Sequence, residues 1–264
     1  MRIWILTENT TCSPELTAEH GLSLYIETNG LRILFDAGQS EAFADNAKKL
    51  GVDLSAVDLA VLSHGHYDHG GGLMRFLELN GRAPVYVSRH AFGGYHNASG
   101  KYIGLAPELK GHPRLIAAQG VMEIGDGLTL CAGEDMPAIA PLDSAGLTRC
   151  ECGVQVPDDF RHEQYLLIRE GDKTVLISGC SHRGILNIAD AFRPDVLLGG
   201  FHFMKMDPQL PEDARRLEEA AQVLLGHKTL YYTGHCTGEA PYALLKARMG
   251  ERLMPLTTGQ KIQI

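Results

Sequence analysis

The chain has 264 residues, with 24 Lys and Arg against 32 Asp and Glu, for a formal net charge of −8. A hydrophobic share of 44% with 21% charged residues excludes a disordered or fibrous chain, and the acidic balance argues against a dedicated nucleic-acid binder. No apolar run approaches the roughly 18 residues needed to span a bilayer, and the opening MRIWILTENTTC carries too short an apolar stretch for a signal-peptide core. The expectation is a cytoplasmic protein whose six cysteines stay reduced. No linker, low-complexity tract or repeat divides the sequence, so residues 1–264 read as one domain.

Arg2–Thr7, Leu22–Glu27 and Leu31–Asp36 are short apolar or alternating runs that predict strands, and Asn29-Gly30 between the last two is a hairpin dipeptide. A helix opened by Ser40 as N-cap and closed near Gly51 follows. Asp58–Ser63 reads as a buried strand, Gly71–Leu79 as a helix and Pro84–Ser88 as a strand. Residues 89–112 and 133–162 show no period, and loops that long in a compact domain are usually functional or disordered. Gly120–Cys131 between them predicts a hairpin. Tyr165–Arg169 and Thr174–Ser178 are strands around a Gly171-Asp172 turn. Helix Ile185–Phe192, strand Asp195–Gly199, helix Pro211–Leu225, strand Thr229–Thr233 and helix Ala240–Met249 follow, and Lys261–Ile264 closes as an edge strand. Each half passes from paired strands to strand–helix alternation, which predicts an α/β protein of two packed sheets with helices outside.

Twelve histidines are the unusual count. Three of them fall in Ser63-His64-Gly65-His66-Tyr67-Asp68-His69-Gly70-Gly71-Gly72, between a buried strand and a helix. His64 and His66 are two apart, so an extended backbone puts them on one side; the chain then turns, and Asp68 and His69 reach a second point. Imidazole and carboxylate suit Zn²⁺, Mn²⁺ or Fe, and four donors in six residues can serve two ions about 3.5–4 Å apart. Three further strands run into histidines, at Cys180-Ser181-His182, Phe201-His202 and His235-Cys236. In a layered α/β protein, strand C-terminal ends are where sites are built.

A DLAVLS strand running into HxHxDH resembles the metallo-β-lactamase superfamily. The resemblance covers nearly the whole chain and is supported by Phe35-Asp36-Ala37-Gly38. It implies a four-layer αββα sandwich of two mixed sheets with outer helices, and a one- or two-metal site between the sheet edges. Glu19-His20-Gly21-Leu22-Ser23, LFDAGQS (Leu34–Ser40), SGCSHRGI (Ser178–Ile185), GGFH (Gly199–His202) and TGHCTG (Thr233–Gly238) resemble a branch of dihydropterin-(ribofuranosyl)aminobenzene phosphate synthase-like proteins. The superfamily pattern implies His64, His66, Asp68, His69 and His235 as metal ligands. Cys180 stands where many members have a bridging Asp, and a thiolate is a good Zn²⁺ ligand; His182 is a candidate for the remaining imidazole. The superfamily usually has another histidine before the Tyr165 strand, for which His162 and Asp159 are candidates, or both face solvent. His202 is similar in position to a histidine of tRNA 3′-processing nucleases that acts near the leaving group, and a histidine with an unperturbed pKa near 6.5 suits a general acid.

Asp36 is a candidate to orient a metal-binding histidine through its second ring nitrogen. His20, Arg183 and Tyr95 are candidates to bind substrate, and Glu19, His96 and Tyr102 to line or cover the pocket. Arg183, Arg89, Lys101 and Lys205 are candidates for an anionic group such as phosphate. Cys150 and Cys152 are too few for a metal motif by themselves. The chemistry expected is a metal-dependent hydrolase, zinc first among one or two divalent ions. A metal-activated water held by Asp68, with His202 at the leaving group, would cleave an ester, phosphoester, lactone or thioester of a small molecule. The branch resemblance implies instead a dihydropterin-type transferase, and a metal-bearing ligand sensor is a third reading. Neither nucleic acid nor membrane is expected as a partner.

Overall fold

The computed structural model describes the backbone of residues 1–264 and every side chain except that of Asp135. Strands β1 (Arg2–Thr7), β2 (Ser23–Thr28) and β3 (Leu31–Phe35) form an antiparallel meander. The β2–β3 turn is Asn29-Gly30, both at positive φ (48° and 75°), as a two-residue hairpin loop of the favoured hand requires. Alternate side chains of β3 face opposite sides, yet Ile33, Leu34 and Phe35 are all fully buried, because the sheet is covered on both faces. After helix α1 (Ala42–Lys49), strands β4 (Leu59–Val61), β5 (Val85–Ser88) and β7 (Leu115–Ala118) continue the sheet in parallel, with α2 (Tyr67–Gly70) and α3 (Leu73–Leu79) between β4 and β5. Strand β6 (Tyr95–His96) lies apart, in a small sheet with β10 (Thr148–Glu151) and β11 (Val154–Pro157).

The second large sheet repeats the plan. Strands β8 (Val121–Gly125), β9 (Leu128–Ala132), β12 (Gln164–Glu170) and β13 (Lys173–Ile177) are antiparallel. Helix α4 (Ile185–Phe192), β14 (Val196–Leu198), α5 (Pro211–Gly226), β15 (Leu230–Thr233), α6 (Glu239–Met249) and β16 (Leu253–Pro255) then add parallel strands. The last strand, β17 (Lys261–Gln263), returns to pair with β1. The two sheets have seven strands each, in the orders β17-β1-β2-β3-β4-β5-β7 and β16-β15-β14-β13-β12-β9-β8.

Three apolar layers hold this together. Ile5, Ile26, Ile33 and Phe35 of the first sheet pack on Leu130, Leu166, Ile168 and Ile177 of the second. Phe43, Ala47 and Phe76 of α1 and α3 cover the outer face of the first sheet. Ile188, Leu217, Leu224 and Leu245 of α4, α5 and α6 cover that of the second. The result is the αββα sandwich expected from the sequence. Among the described residues no helix is long and apolar enough to cross a membrane.

Four local expectations change. The helix expected over 71–79 starts at Leu73, and a separate short helix, Tyr67–Gly70, precedes it inside the histidine motif. Ser40 lies one residue ahead of the first cap position, Glu41, and its hydroxyl accepts from the Ala42 N–H. The aperiodic stretches are not all loop: 133–162 contains the β10–β11 hairpin, turning through Cys152 and Gly153 at positive φ, and 89–112 contains β6. Strands β7 and β16 lie outside the predicted runs. The parallel strands of both sheets end along one edge, where Asp36, Ser63, Ser178, Gly199 and Gly234 follow β3, β4, β13, β14 and β15.

Candidate metal centre

The site is built outward from one buried carboxylate. Asp36, just past β3, is at φ 57° and 1% exposed. Its Oδ1 accepts from the Ser63 N–H (2.7 Å); its Oδ2 accepts from the Ser63 hydroxyl (2.7 Å) and from His69 Nδ1 (2.6 Å). The Ser63 oxygen in turn accepts from His64 Nδ1 (2.8 Å). One anion therefore sets the tautomer of two imidazoles, one directly and one through Ser63, and leaves each Nε2 with a lone pair directed away.

Those lone pairs converge with others. His64 Nε2 lies 3.3 Å from His182 Nε2, and His64, His66 and His182 form one buried group with donor atoms within 4.8 Å of one another. His69 Nε2 lies 3.1 Å from His235 Nε2 and 3.1 Å from Cys180 Sγ. Asp68 Oδ2 lies 3.3 Å from His235 Nε2 and 3.8 Å from His69 Nε2. Cys180 belongs to a group with His64 and His69, so its sulfur lies between the two clusters. His235 Nδ1 donates to Asn9 Oδ1 (3.0 Å), so its Nε2, like that of His69, is a bare acceptor. Two imidazole nitrogens facing each other at such distances repel unless a proton or a metal cation lies between them. Metal bonds of about 2.0–2.2 Å put neighbouring ligand atoms about 2.8–3.6 Å apart, and the separations fall around this range. The buried His66 Nε2 has no hydrogen-bond partner, which leaves its lone pair free for the same cation. The donor set fits one or two divalent ions.

The supporting residues come from remote parts of the chain. Glu8, 2% exposed, accepts the His235 N–H on Oε1 and the Thr10 N–H (2.8 Å) on Oε2; Asn9 Nδ2 donates to the His235 carbonyl (3.3 Å). Glu163, fully buried, accepts from the N–H groups of His182 (2.7 Å) and Arg183 (3.0 Å) and from the Tyr165 hydroxyl (2.7 Å). These clamps hold a strained backbone: Asp36, Phe160, Ser181, His202 and His235 all have φ between 49° and 57°, at a cost of about 1–3 kcal/mol each. Gly65 is required between His64 and His66, since a Cβ there would lie 2.2 Å from the Ala91 carbonyl oxygen.

Burial dominates the electrostatics. It holds His64 and His182 well below their ordinary pKa, His66 at about 3 and His235 at about 4, so these imidazoles are neutral and able to donate lone pairs at pH 7. His69 is the exception: burial lowers it, but the carboxylates of Asp36 and Asp68 outweigh burial and raise it. Burial opposes ionisation of Asp68, but His69, His20 and His235 together hold it well below the ordinary carboxylate range. Burial raises the Cys180 thiol well above its ordinary value.

The other sequence candidates divide. His202 packs 4.3 Å, ring to ring, from His182; burial, then Lys205, lower it to about 4, so it is neutral at pH 7, in place of the unperturbed acid expected. His20 faces the second cluster, its Nε2 3.4 Å from Asp68 Oδ2. Tyr95 is 1% exposed, stacks on His162 at 3.9 Å and donates its hydroxyl to the His90 carbonyl; it supports the first cluster from behind and offers substrate no free face. His162 Nδ1 accepts the Gly65 N–H (2.9 Å) and its Nε2 donates to Asp158 Oδ2 (3.1 Å); its donor atoms also group with those of His66 and Asp158, beside the group that His182 forms with His64 and His66. Asp159 is taken up by Arg161 and Arg149. Arg183 is buried and donates to the Asp159 carbonyl (3.0 Å). Glu19 binds the 39–40 backbone and the Ser40 hydroxyl. Arg89 pairs with Glu134 (2.9 Å), Lys101 lies over the Tyr67 ring (5.6 Å) and Lys205 donates to the Ala145 carbonyl (2.6 Å). Tyr102 donates to the Leu105 carbonyl and packs on His96, and Cys150 and Cys152 are exposed thiols. Glu8, Asn9, Ser63, Asp158 and Glu163 were missed as supporting residues. Buried carboxylates beside a histidine, as in Asp158 to Glu163, were the available signal.

Fold and site together define an αββα-sandwich protein with a histidine-rich divalent-metal cradle between its sheet edges. The family description "Metallo-beta-lactamase superfamily" matches residues 16–154, and the chain belongs to that superfamily. The chain is 32% identical over 213 residues to an uncharacterized protein of Methanocaldococcus jannaschii, covering 76% of this chain and 79% of the relative. It is 31% identical over 248 residues to 7,8-dihydropterin-6-methyl-4-(β-D-ribofuranosyl)-aminobenzene-5′-phosphate synthase of the same organism, covering 84% and 82%. Among solved structures, a metal-dependent hydrolase of the β-lactamase superfamily superposes with a TM-score of 0.80 at 27% identity, covering 100% of this chain and 99% of the other. Zn²⁺-bound PqqB from Methylobacterium extorquens shares the fold, with a TM-score of 0.61 at 13% identity and full coverage of both chains.

Proposed function

We propose that this protein is a metal-dependent hydrolase of a small-molecule ester or phosphoester, zinc being the first candidate metal. The observation that carries the reading is the pair of adjacent cradles, with Cys180 between them: His64, His66 and His182 in one, Asp68, His69 and His235 in the other. These residues would hold one or two divalent ions, whose Lewis acidity at neutral pH makes water nucleophilic and polarises the bond to be cleaved. Asp68, held ionised, accepts a proton or hydrogen bond from the attacking water. His202, a neutral imidazole beside His182, still donates one N–H and so stabilises the leaving oxygen by a hydrogen bond without carrying a charge itself. Asp36, Glu8, Asn9 and Glu163 keep the imidazoles in register. The zinc-reconstituted protein is expected to turn over at least one member of a panel of esters, phosphodiesters, lactones and thioesters. A chelator and His66→Ala should each abolish that turnover. A metal-loaded protein inert toward the whole panel refutes the hydrolase reading.

One observation favours a second reading, in which the same centre serves a dihydropterin-type transfer: the 31% identity to the aminobenzene-phosphate synthase over 84% of this chain. Water labelled with ¹⁸O separates the two. A hydrolase incorporates the label into product without any acceptor, whereas a transferase needs the aminobenzene acceptor and incorporates none.

A further inference from the structure

His20 is outside the HxHxDH motif and on none of the strands that end in histidine. The structure nevertheless fixes it against the second cradle from two sides. Glu19, before it, accepts from the Gln39 N–H (3.1 Å) and the Ser40 hydroxyl (2.5 Å). Gly21, after it, lies so close to the Asp68 carbonyl that a Cβ would stand 2.6 Å from that oxygen, and the Leu22 N–H donates to the same carbonyl (3.3 Å). The backbone around His20 is thus tied to the backbone of Asp68. Its Nε2 lies 3.4 Å from Asp68 Oδ2, which is itself 3.3 Å from His235 Nε2, and the rings of His20 and His235 are 4.6 Å apart. The three donor atoms lie within 4.8 Å of one another. Separations of 3.3 and 3.4 Å are long for hydrogen bonds to a carboxylate and match the edge between neighbouring ligands of one ion. The His235 Nδ1 proton is already given to Asn9, so His235 Nε2 meets Asp68 as acceptor against acceptor, and a cation relieves that repulsion.

We propose that His20 is a further ligand of the second metal ion, joining Asp68 and His235 from the solvent side, instead of a substrate-binding residue. The proposal rests on the two-cradle reading above. Its side chain is 41% exposed, against 0–1% for His69 and His235, so it is the ligand that solvent reaches first and the one whose removal least disturbs folding.

The test is titration of the chelator-treated protein with Co²⁺, following the visible d–d spectrum and the stoichiometry, for wild type, His20→Ala and His66→Ala. Wild type is expected to bind with a ligand-field spectrum. His20→Ala is expected to keep its melting temperature, to lose affinity for one equivalent at least about tenfold, to change the band pattern of that equivalent, and to regain the wild-type spectrum on addition of free imidazole. His66→Ala is expected to weaken the other equivalent and to leave the His20-dependent bands in place. If wild type binds and His20→Ala gives the same spectrum and affinity, changing only KM for a substrate, His20 is not a ligand and the proposal is overturned. If wild type binds no Co²⁺ at all, it is the two-cradle reading that fails.

Discussion

Replacing Asp36 by Asn tests whether one buried carboxylate sets the metal-side lone pairs. The exchange preserves shape, and Asn tolerates the left-handed φ of 57° at this position. Its oxygen can keep the Ser63 N–H, while its amide nitrogen replaces Oδ2, which accepts from both the Ser63 hydroxyl and His69 Nδ1. The Ser63 hydroxyl can rotate. His69 cannot donate to an N–H, so either its Nδ1 proton is left buried and unpaired, at about 1–3 kcal/mol, or the ring changes tautomer. The second course puts the proton on Nε2, the atom 3.1 Å from both His235 Nε2 and Cys180 Sγ, and removes the lone pair from the cradle. Asp36→Asn should therefore lower stability by about 1–3 kcal/mol and zinc affinity by about 10–100-fold. Urea denaturation of the metal-free protein reads the first and competition with a chromogenic chelator reads the second. A variant that binds zinc as wild type does would refute the tautomer argument, whatever its stability.

Three further outcomes follow from the same geometry. Metal-free protein should lose stability on acidification. His66 and His235 have folded-state values of about 3 and 4, so the unfolded chain binds more protons below about pH 6.5; each group then costs about 1.4 kcal/mol at pH 5.5. His69, whose value is raised, acts in the opposite sense, and a melting temperature flat from pH 7.5 to about 5 would contradict the burial argument. Glu163→Ala strips acceptors from three buried donors, the N–H groups of His182 and Arg183 and the Tyr165 hydroxyl, and should cost at least about 3 kcal/mol in urea denaturation; a loss under 1 kcal/mol would show that water replaces the carboxylate. His162→Ala should weaken zinc binding by loosening the His64–His66 backbone, without removing an equivalent of metal, because both ring nitrogens are engaged by Gly65 and Asp158; loss of a full equivalent would make His162 a ligand.

The fold was largely legible because the parallel strands are unbroken apolar runs, as in DLAVLS, and because Asn29-Gly30 and Gly171-Asp172 mark hairpins by their turn chemistry. What stayed hidden lies where periodicity carries no information. Strand β10 is half-exposed or exposed along its length, so no apolar alternation reveals it. The donors in His64–His69 could be read from spacing, because they sit within one turn of chain. The surroundings of His162 and His182 could not, since they depend on which ring nitrogens the fold engages, and Asp158 and the Gly65 N–H engage both of those on His162. Glu8 and Asn9 lie more than 220 residues from the His235 they hold, a pairing that only the packing of the two sheets creates.

The central claim is that the two donor groups are a divalent-metal centre. Elemental analysis of protein reconstituted with zinc and freed of excess tests it most directly, for wild type beside His64→Ala and His69→Ala, whose side chains belong to the first and second cradles. The expected result is one to two zinc ions per wild-type chain and a lower stoichiometry in each variant; a wild-type chain that retains less than about a tenth of an equivalent after reconstitution, or variants that retain as much as wild type, would contradict it.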